Sequence, residues 1–226
     1  MLTLIKKNKA YFFCFVVYAI IGAILLLSFQ KGDLEYRFNQ YHKPILDTVL
    51  KYTTFFGDGL FAFPLILVIT LFSSKYKGLI FFISMMAQFI VIHALKWFVF
   101  ENSPRPSVFF PQSLHMYYVE GVDIYSYNSF PSGHSSQAFC LFLLFALFAT
   151  NKKLGPLFFL LAFSVGLSRI YLLQHFFVDT YFGAVISTGI TFLSFYYFEN
   201  HTDLKNNKKL QKPVFPTFEK FYGKEN

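Results

Sequence analysis

The chain has 226 residues, 55% of them hydrophobic and 22% aromatic with 34 Phe, and only 14% are charged; soluble domains average roughly 25% charged residues. A soluble fold of this length would leave much of that apolar surface facing water as aggregation-prone patches, so the composition excludes an ordinary soluble globule and requires a lipid solvent. The net charge of +8 does not point to nucleic acid. Its largest cluster is a C-terminal tail, and no basic residues alternate with aromatics on a soluble face, so the charges read as cytoplasmic anchors.

Six apolar stretches follow one another at about residues 11–29, 60–72, 79–100, 135–150, 155–173 and 178–198, against the ~20 residues a helix needs to cross a hydrocarbon core. The second and fourth are short. The first is preceded by Lys6, Lys7 and Lys9, but it exceeds the apolar region of a secretory signal and lacks a small-residue cleavage site, so it reads as a retained anchor. Over residues 43–56, Ile45, Leu46, Val49 and Leu50 recur at helical spacing, which suits a helix lying in the membrane interface or a surface helix tucked against the bundle. The expectation is an all-α polytopic membrane bundle of six transmembrane helices. It forms one domain over residues 1–200, followed by a polar, basic tail over 201–226.

Orientation comes from short basic flanks, which favour the cytoplasmic side. Lys6, Lys7 and Lys9 precede the first span, Lys75 and Lys77 join the second to the third, Lys152 and Lys153 join the fourth to the fifth, and Lys205, Lys208, Lys209 and Lys212 follow the sixth. Both termini are therefore expected in the cytoplasm. Residues 30–56, the loop 101–130 and the turn near His175 fall on the opposite side, which in a bacterium is the periplasmic face of the inner membrane. Cys14 and Cys140 lie within spans and are expected to be free thiols. No Cys/His spacing of the zinc type occurs, so no metal site is indicated.

Against this background a few polar residues stand out. Pro131-Ser132-Gly133-His134 precedes the fourth span, where Ser132 suits an N-cap and the free amides of the helix start attract anions, with Gly133 allowing close approach. His175 and Asp179 are four apart at the start of the sixth span. On a helix that spacing puts them on one face, where a carboxylate can orient an imidazole and activate it as a nucleophile. Arg169 closes the fifth span, where an uncompensated charge is costly unless it meets an anion. Lys96 lies near the end of the third, and Arg105-Pro106 follows in the loop. Each has an ordinary structural use when taken alone: a capped helix, a surface pair, a snorkelling lysine. Their gathering at one membrane face argues for a phosphate site. Asp58, near the start of the second span, reads first as a helix cap, with a place in the lining of the pocket as the alternative.

These residues resemble the three-part signature of the type 2 phosphatidic acid phosphatase superfamily: Lys then Arg-Pro, Pro-Ser-Gly-His, and Ser-Arg with five residues to His and three more to Asp. The second part is Pro131–His134 and the third runs from Ser168-Arg169 to His175 and Asp179, both without deviation. The first departs, with eight residues between Lys96 and Arg105 where the signature has six; the extra residues are expected in the loop. The resemblance implies that His175, oriented by Asp179, attacks phosphorus, that His134 serves as acid and then base, and that Lys96, Arg105, Ser132, Gly133 and Arg169 hold the phosphate. It implies no metal or organic cofactor. The implied partner is a phosphorylated lipid in the bilayer, such as phosphatidic acid, phosphatidylglycerophosphate, undecaprenyl diphosphate or lipid A. A phosphotransferase would need the same residues, and a transporter or scaffold is the non-catalytic alternative.

Overall fold

The computed structural model describes residues 1–215, and every regular element among them is a helix. Residues 216–226 of the expected tail lie outside the described residues. In chain order, a short α1 (Leu2–Lys7) leads into α2 (Lys9–Ser28), followed by α3 (Asp33–Asn39) and α4 (Pro44–Thr53). Then come α5 (Gly59–Phe72), α6 (Lys75–Ala94), a short α7 (Pro106–Phe109), α8 (Gly133–Phe148), α9 (Gly155–Tyr171) and α10 (Phe177–Asn200). Two single-turn pieces, α11 (Thr202–Lys205) and α12 (Lys208–Gln211), complete it.

Each apolar stretch expected to span is a helix. Length and composition qualify four to cross a membrane, namely Lys9–Ser28, Lys75–Val99, Lys152–Tyr171 and Phe177–Asn200. A fifth is added if Pro44–Gly57 and Gly59–Phe72, bent 53° to each other, form one broken span. Gly133–Phe148 is shorter; at 1.5 Å per residue its 16 residues reach about 24 Å against a core of about 30 Å.

The shortness of α8 follows from its place. It is the central helix, packed against α6, α9 and α10, and most of its residues are buried, from Ser135 to Leu147. A helix apolar on every side belongs inside a bundle. Its last carbonyls, Ala146 and Leu147, accept hydrogen bonds from Lys152 Nζ at 3.0 and 2.7 Å, so the end is closed by protein. By contrast α2 buries only Tyr11 and Gly22 and exposes Phe13, Val16, Ile20, Ile24 and Leu27, as an outer helix facing acyl chains would.

The segment α4 is amphipathic with Asp47 turned inward and Ile45, Val49 and Tyr52 exposed. Asp47 accepts hydrogen bonds from Tyr171 on α9 at 2.5 Å and Tyr117 in the 101–130 loop at 2.9 Å. The His42 ring stacks on Tyr117, with ring centroids 3.6 Å apart. Cys14 and Cys140 are both free; Cys140 is buried and Cys14 half-buried.

Candidate active site

One cavity of about 320 Å³ is lined by Lys96, Arg105, Gly133, His134, Arg169 and His175. The eight residues singled out in the sequence thus converge, six on the cavity wall and two, Ser132 and Asp179, buried immediately behind it.

Lys96 reaches this place because α6 keeps its phase. Phe81, Met85, Gln88, Ile92 and Lys96 recur at spacings of three and four and are all buried, which is one helical face. The lysine is inward and does not snorkel. Lys96 itself lies in a π turn into which the helix widens over Leu95–Val99, a geometry that takes up an extra residue within a helix. The longer Lys96–Arg105 spacing is therefore absorbed partly in the helix and not only in the loop, as expected from sequence. Arg105 is clamped by acceptors: its Nε donates to the Tyr127 carbonyl at 2.9 Å and its Nη1 to the Gln174 carbonyl at 2.8 Å.

The Pro-Ser-Gly-His turn opens α8 as anticipated. Ser132 is the N-cap, its Oγ accepting the Ser135 N–H at 3.4 Å, and its own N–H donates to the Asp179 carbonyl at 3.0 Å. That turn lies so close to α10 that a Cβ on Gly183 would meet the Ser132 carbonyl oxygen at 2.6 Å. A Cβ on Gly133 would meet nothing within 4 Å, so that glycine leaves its side of the cavity open to a ligand.

The fixed interval from Arg169 to His175 has a local cause. Helix α9 ends in a Schellman motif: Leu173 is left-handed at φ 52°, its N–H bonds the Ile170 carbonyl at 3.0 Å, and the Gln174 N–H bonds the Arg169 carbonyl at 2.9 Å. This turn delivers His175 to the cavity one residue before the N-cap of α10. His175 is therefore not on the helix with Asp179, contrary to the expectation from their spacing. The pairing arises because Asp179, in the first turn of α10, reaches back to accept the Phe176 N–H at 2.9 Å, half of a capping box, and so lies beside the preceding histidine. His175 Nδ1 is 3.4 Å from Asp179 Oδ2.

Burial first, then the charges of Arg105, Arg169, Lys96 and His134, hold the His175 pKa well below the ordinary imidazole range. When the ring is neutral with its Nδ1 proton directed at Asp179, the other nitrogen carries the lone pair.

Several participants had no signal in the sequence. Ser129 donates to Asp179 Oδ2 at 2.5 Å and lies 3.5 Å from His175 Nδ1. It is itself fixed by Ser103, whose carbonyl accepts the Ser129 N–H and whose Oγ accepts the Phe130 N–H. Thr54, at the break between α4 and α5, accepts from Arg169 Nη1 at 2.8 Å, while Arg169 Nε has no partner among the described residues. Gln174 holds the 101–130 loop through the Asp123 carbonyl at 2.9 Å. That loop supplies Tyr125 and Arg105 to the wall and otherwise fastens Arg105. The two readings of Asp58 are not exclusive: its Oδ1 caps α5 through the Leu60 N–H at 2.9 Å, and it also lines the cavity.

The sequence profile of the PAP2 superfamily matches residues 77–203, more than half the chain. Among solved structures, the crystal structure of Aquifex aeolicus LpxE superposes with a TM-score of 0.65 at 26% identity, covering 74% of this chain and 95% of that one. The first transmembrane PAP2-type phosphatidylglycerolphosphate phosphatase from Bacillus subtilis superposes with a TM-score of 0.58 at 23% identity, covering 86% and 97%, a likeness of fold. No curated protein sequence matches the chain. The profile match, resting on the stretch that carries the three motifs and supported by the shared fold, makes this chain a member of the PAP2 superfamily.

Proposed function

We propose that the protein is an integral membrane phosphohydrolase that removes phosphate from a lipid phosphate or diphosphate through a phosphohistidine at His175, without a metal. One observation carries the reading. The cavity joins a cationic end, formed by Lys96, Arg105 and Arg169, to an apolar wall of Ala62, Phe63, Ile66, Met85, Met86 and Phe89 between α5 and α6. A phosphorylated headgroup fits the first and the start of a hydrocarbon chain fits the second, which is the chemistry of an amphiphile.

The residues divide the work. His175 forms a bond from its free nitrogen to phosphorus as the bond to the leaving oxygen breaks, and His134 gives that oxygen its proton. Water then attacks the phosphohistidine, losing its proton to His134, and the N–P bond breaks to release inorganic phosphate. Lys96, Arg105 and Arg169, with the amides at the α8 start, oppose the ~1.5 to 2 negative charges of a phosphomonoester and the charge that develops on its equatorial oxygens. The same reading has six crossings, counting the bent α4–α5 pair as one and α8 as another, with both termini cytoplasmic. The cavity then opens at the outer face, periplasmic in a bacterial inner membrane.

The test is release of inorganic phosphate by detergent-solubilised protein from a panel of lipid phosphates in EDTA, with glycerol as a competing acceptor. Free phosphate in EDTA, abolished by His175→Ala, is the expected result. Undiminished activity in that variant sinks the mechanism, and phosphorylated glycerol as main product makes the protein a transferase.

A further inference from the structure

We propose that Asp58 is a positioning residue for this reaction, holding the His134 imidazole in the orientation in which it acts as general acid and opposing the positive charge the ring carries with its proton. The proposal rests on the functional reading above and adds a group that none of the three motifs contains.

Geometry is the first support. One carboxylate oxygen of Asp58 is pinned by capping α5, and the other is 3.9 Å from His134 Nε2. The backbone there has no slack, because a Cβ on the neighbouring Gly57 would meet the His134 carbonyl oxygen at 2.6 Å. The separation is that of an ion pair and not yet a hydrogen bond; catalytic contacts of this length tighten when substrate fills the site.

Charge is the second. A general acid must carry its proton before it can donate it, and an imidazolium beside Lys96, Arg105 and Arg169 is repelled unless an anion stands next to it. Asp58 is the one acidic side chain among the residues lining the cavity. The site's other carboxylate, Asp179, is already engaged by Ser129, the Phe176 N–H and His175. The cavity's other titratable side chains, His93, Tyr125 and His175, carry no carboxylate. Asp58 touches no reacting atom.

The experiment uses Asp58→Asn in the full chain, because Asn caps a helix as well as Asp does while removing the charge. Two substrates separate the roles: dodecyl phosphate, whose alkoxide must be protonated to leave, and p-nitrophenyl phosphate, whose phenolate leaves unaided. The quantity compared is kcat/KM, which reports the steps up to departure of the leaving group. We expect it to fall ~10- to 100-fold for dodecyl phosphate and by less than about threefold for the aryl ester. The thermal midpoint should not move, and adding Asp58→Asn to His134→Ala should cost nothing further. Asp58→Ser, which also caps, is the second variant if the first folds poorly. Equal losses on both substrates, or no loss on dodecyl phosphate, overturn the inference while leaving the phosphohydrolase reading intact. A wild-type protein that turns over neither substrate overturns that reading and this inference with it.

Discussion

Asp179 Oδ2 has three close neighbours, Ser129 Oγ, the Phe176 N–H and His175 Nδ1, while Oδ1 has no partner among the described residues. The serine is the nearest of the three, so the carboxylate proposed to orient the nucleophile is itself held mainly by a residue outside the motifs. Ser129→Ala leaves a buried carboxylate short of a donor, and we expect a loss of about 1–3 kcal/mol in stability. The freed carboxylate misplaces His175, and kcat should drop ~10- to 100-fold. Denaturation and steady-state assays in detergent check both; a variant as stable and as active as the wild type would leave Ser129 without a role. Asp179 and Ser132 were legible in the sequence through motif and cap. Ser129 was not, because a serine in a loop carries no periodicity and its partner lies 50 positions away.

At the scale of elements, α10 is seated by its N-terminus. Besides Asp179, Glu35 on α3 is buried and accepts the Phe177 N–H at 2.5 Å. Burial raises the Glu35 pKa, against hydrogen bonds to backbone N–H groups that lower it. A carboxyl with a folded pKa above its unfolded value adds stability that is fully present below the unfolded pKa, near 4.5, and lost as pH rises through the folded one. The stability of the wild type relative to Glu35→Gln should therefore decline as pH rises from 4.5 toward neutrality. Unfolding of both proteins in detergent across that range measures it, and a difference flat in pH would show that burial leaves the carboxyl unperturbed. The six apolar stretches were readable from hydropathy, but not the π turn around Lys96 or the 53° bend between Pro44–Gly57 and Gly59–Phe72. Both irregularities sit against the cavity, where departures from regular helix are stabilised by what they line.

Across the whole molecule, the candidate site lies at one end of the bundle and the lysine-rich connections, Lys75, Lys77, Lys152 and Lys153, at the other. Single cysteines test the orientation. In a bacterial inner membrane, Ser126→Cys should react with an impermeant maleimide from outside, and Lys208→Cys only after permeabilisation. The reverse pattern would invert the topology, and wild-type protein with its two native thiols is the control.

What the sequence by itself determined was chemical identity and local order. The apolar background made each charge near a span costly, so Lys96, Arg105, Arg169, His175 and Asp179 were conspicuous by energy alone. These signals are local and need only neighbours along the chain. Tertiary structure decided which of those residues meet and what else joins them: Ser129 behind Asp179, Thr54 on Arg169, Asp58 opposite His134, and His175 in a turn instead of on a helix. Such meetings depend on how whole helices pack around α8, through contacts such as Gly183 against Ser132. No window of sequence contains that information, because the contact energies that choose one packing are shared among residues far apart in the chain.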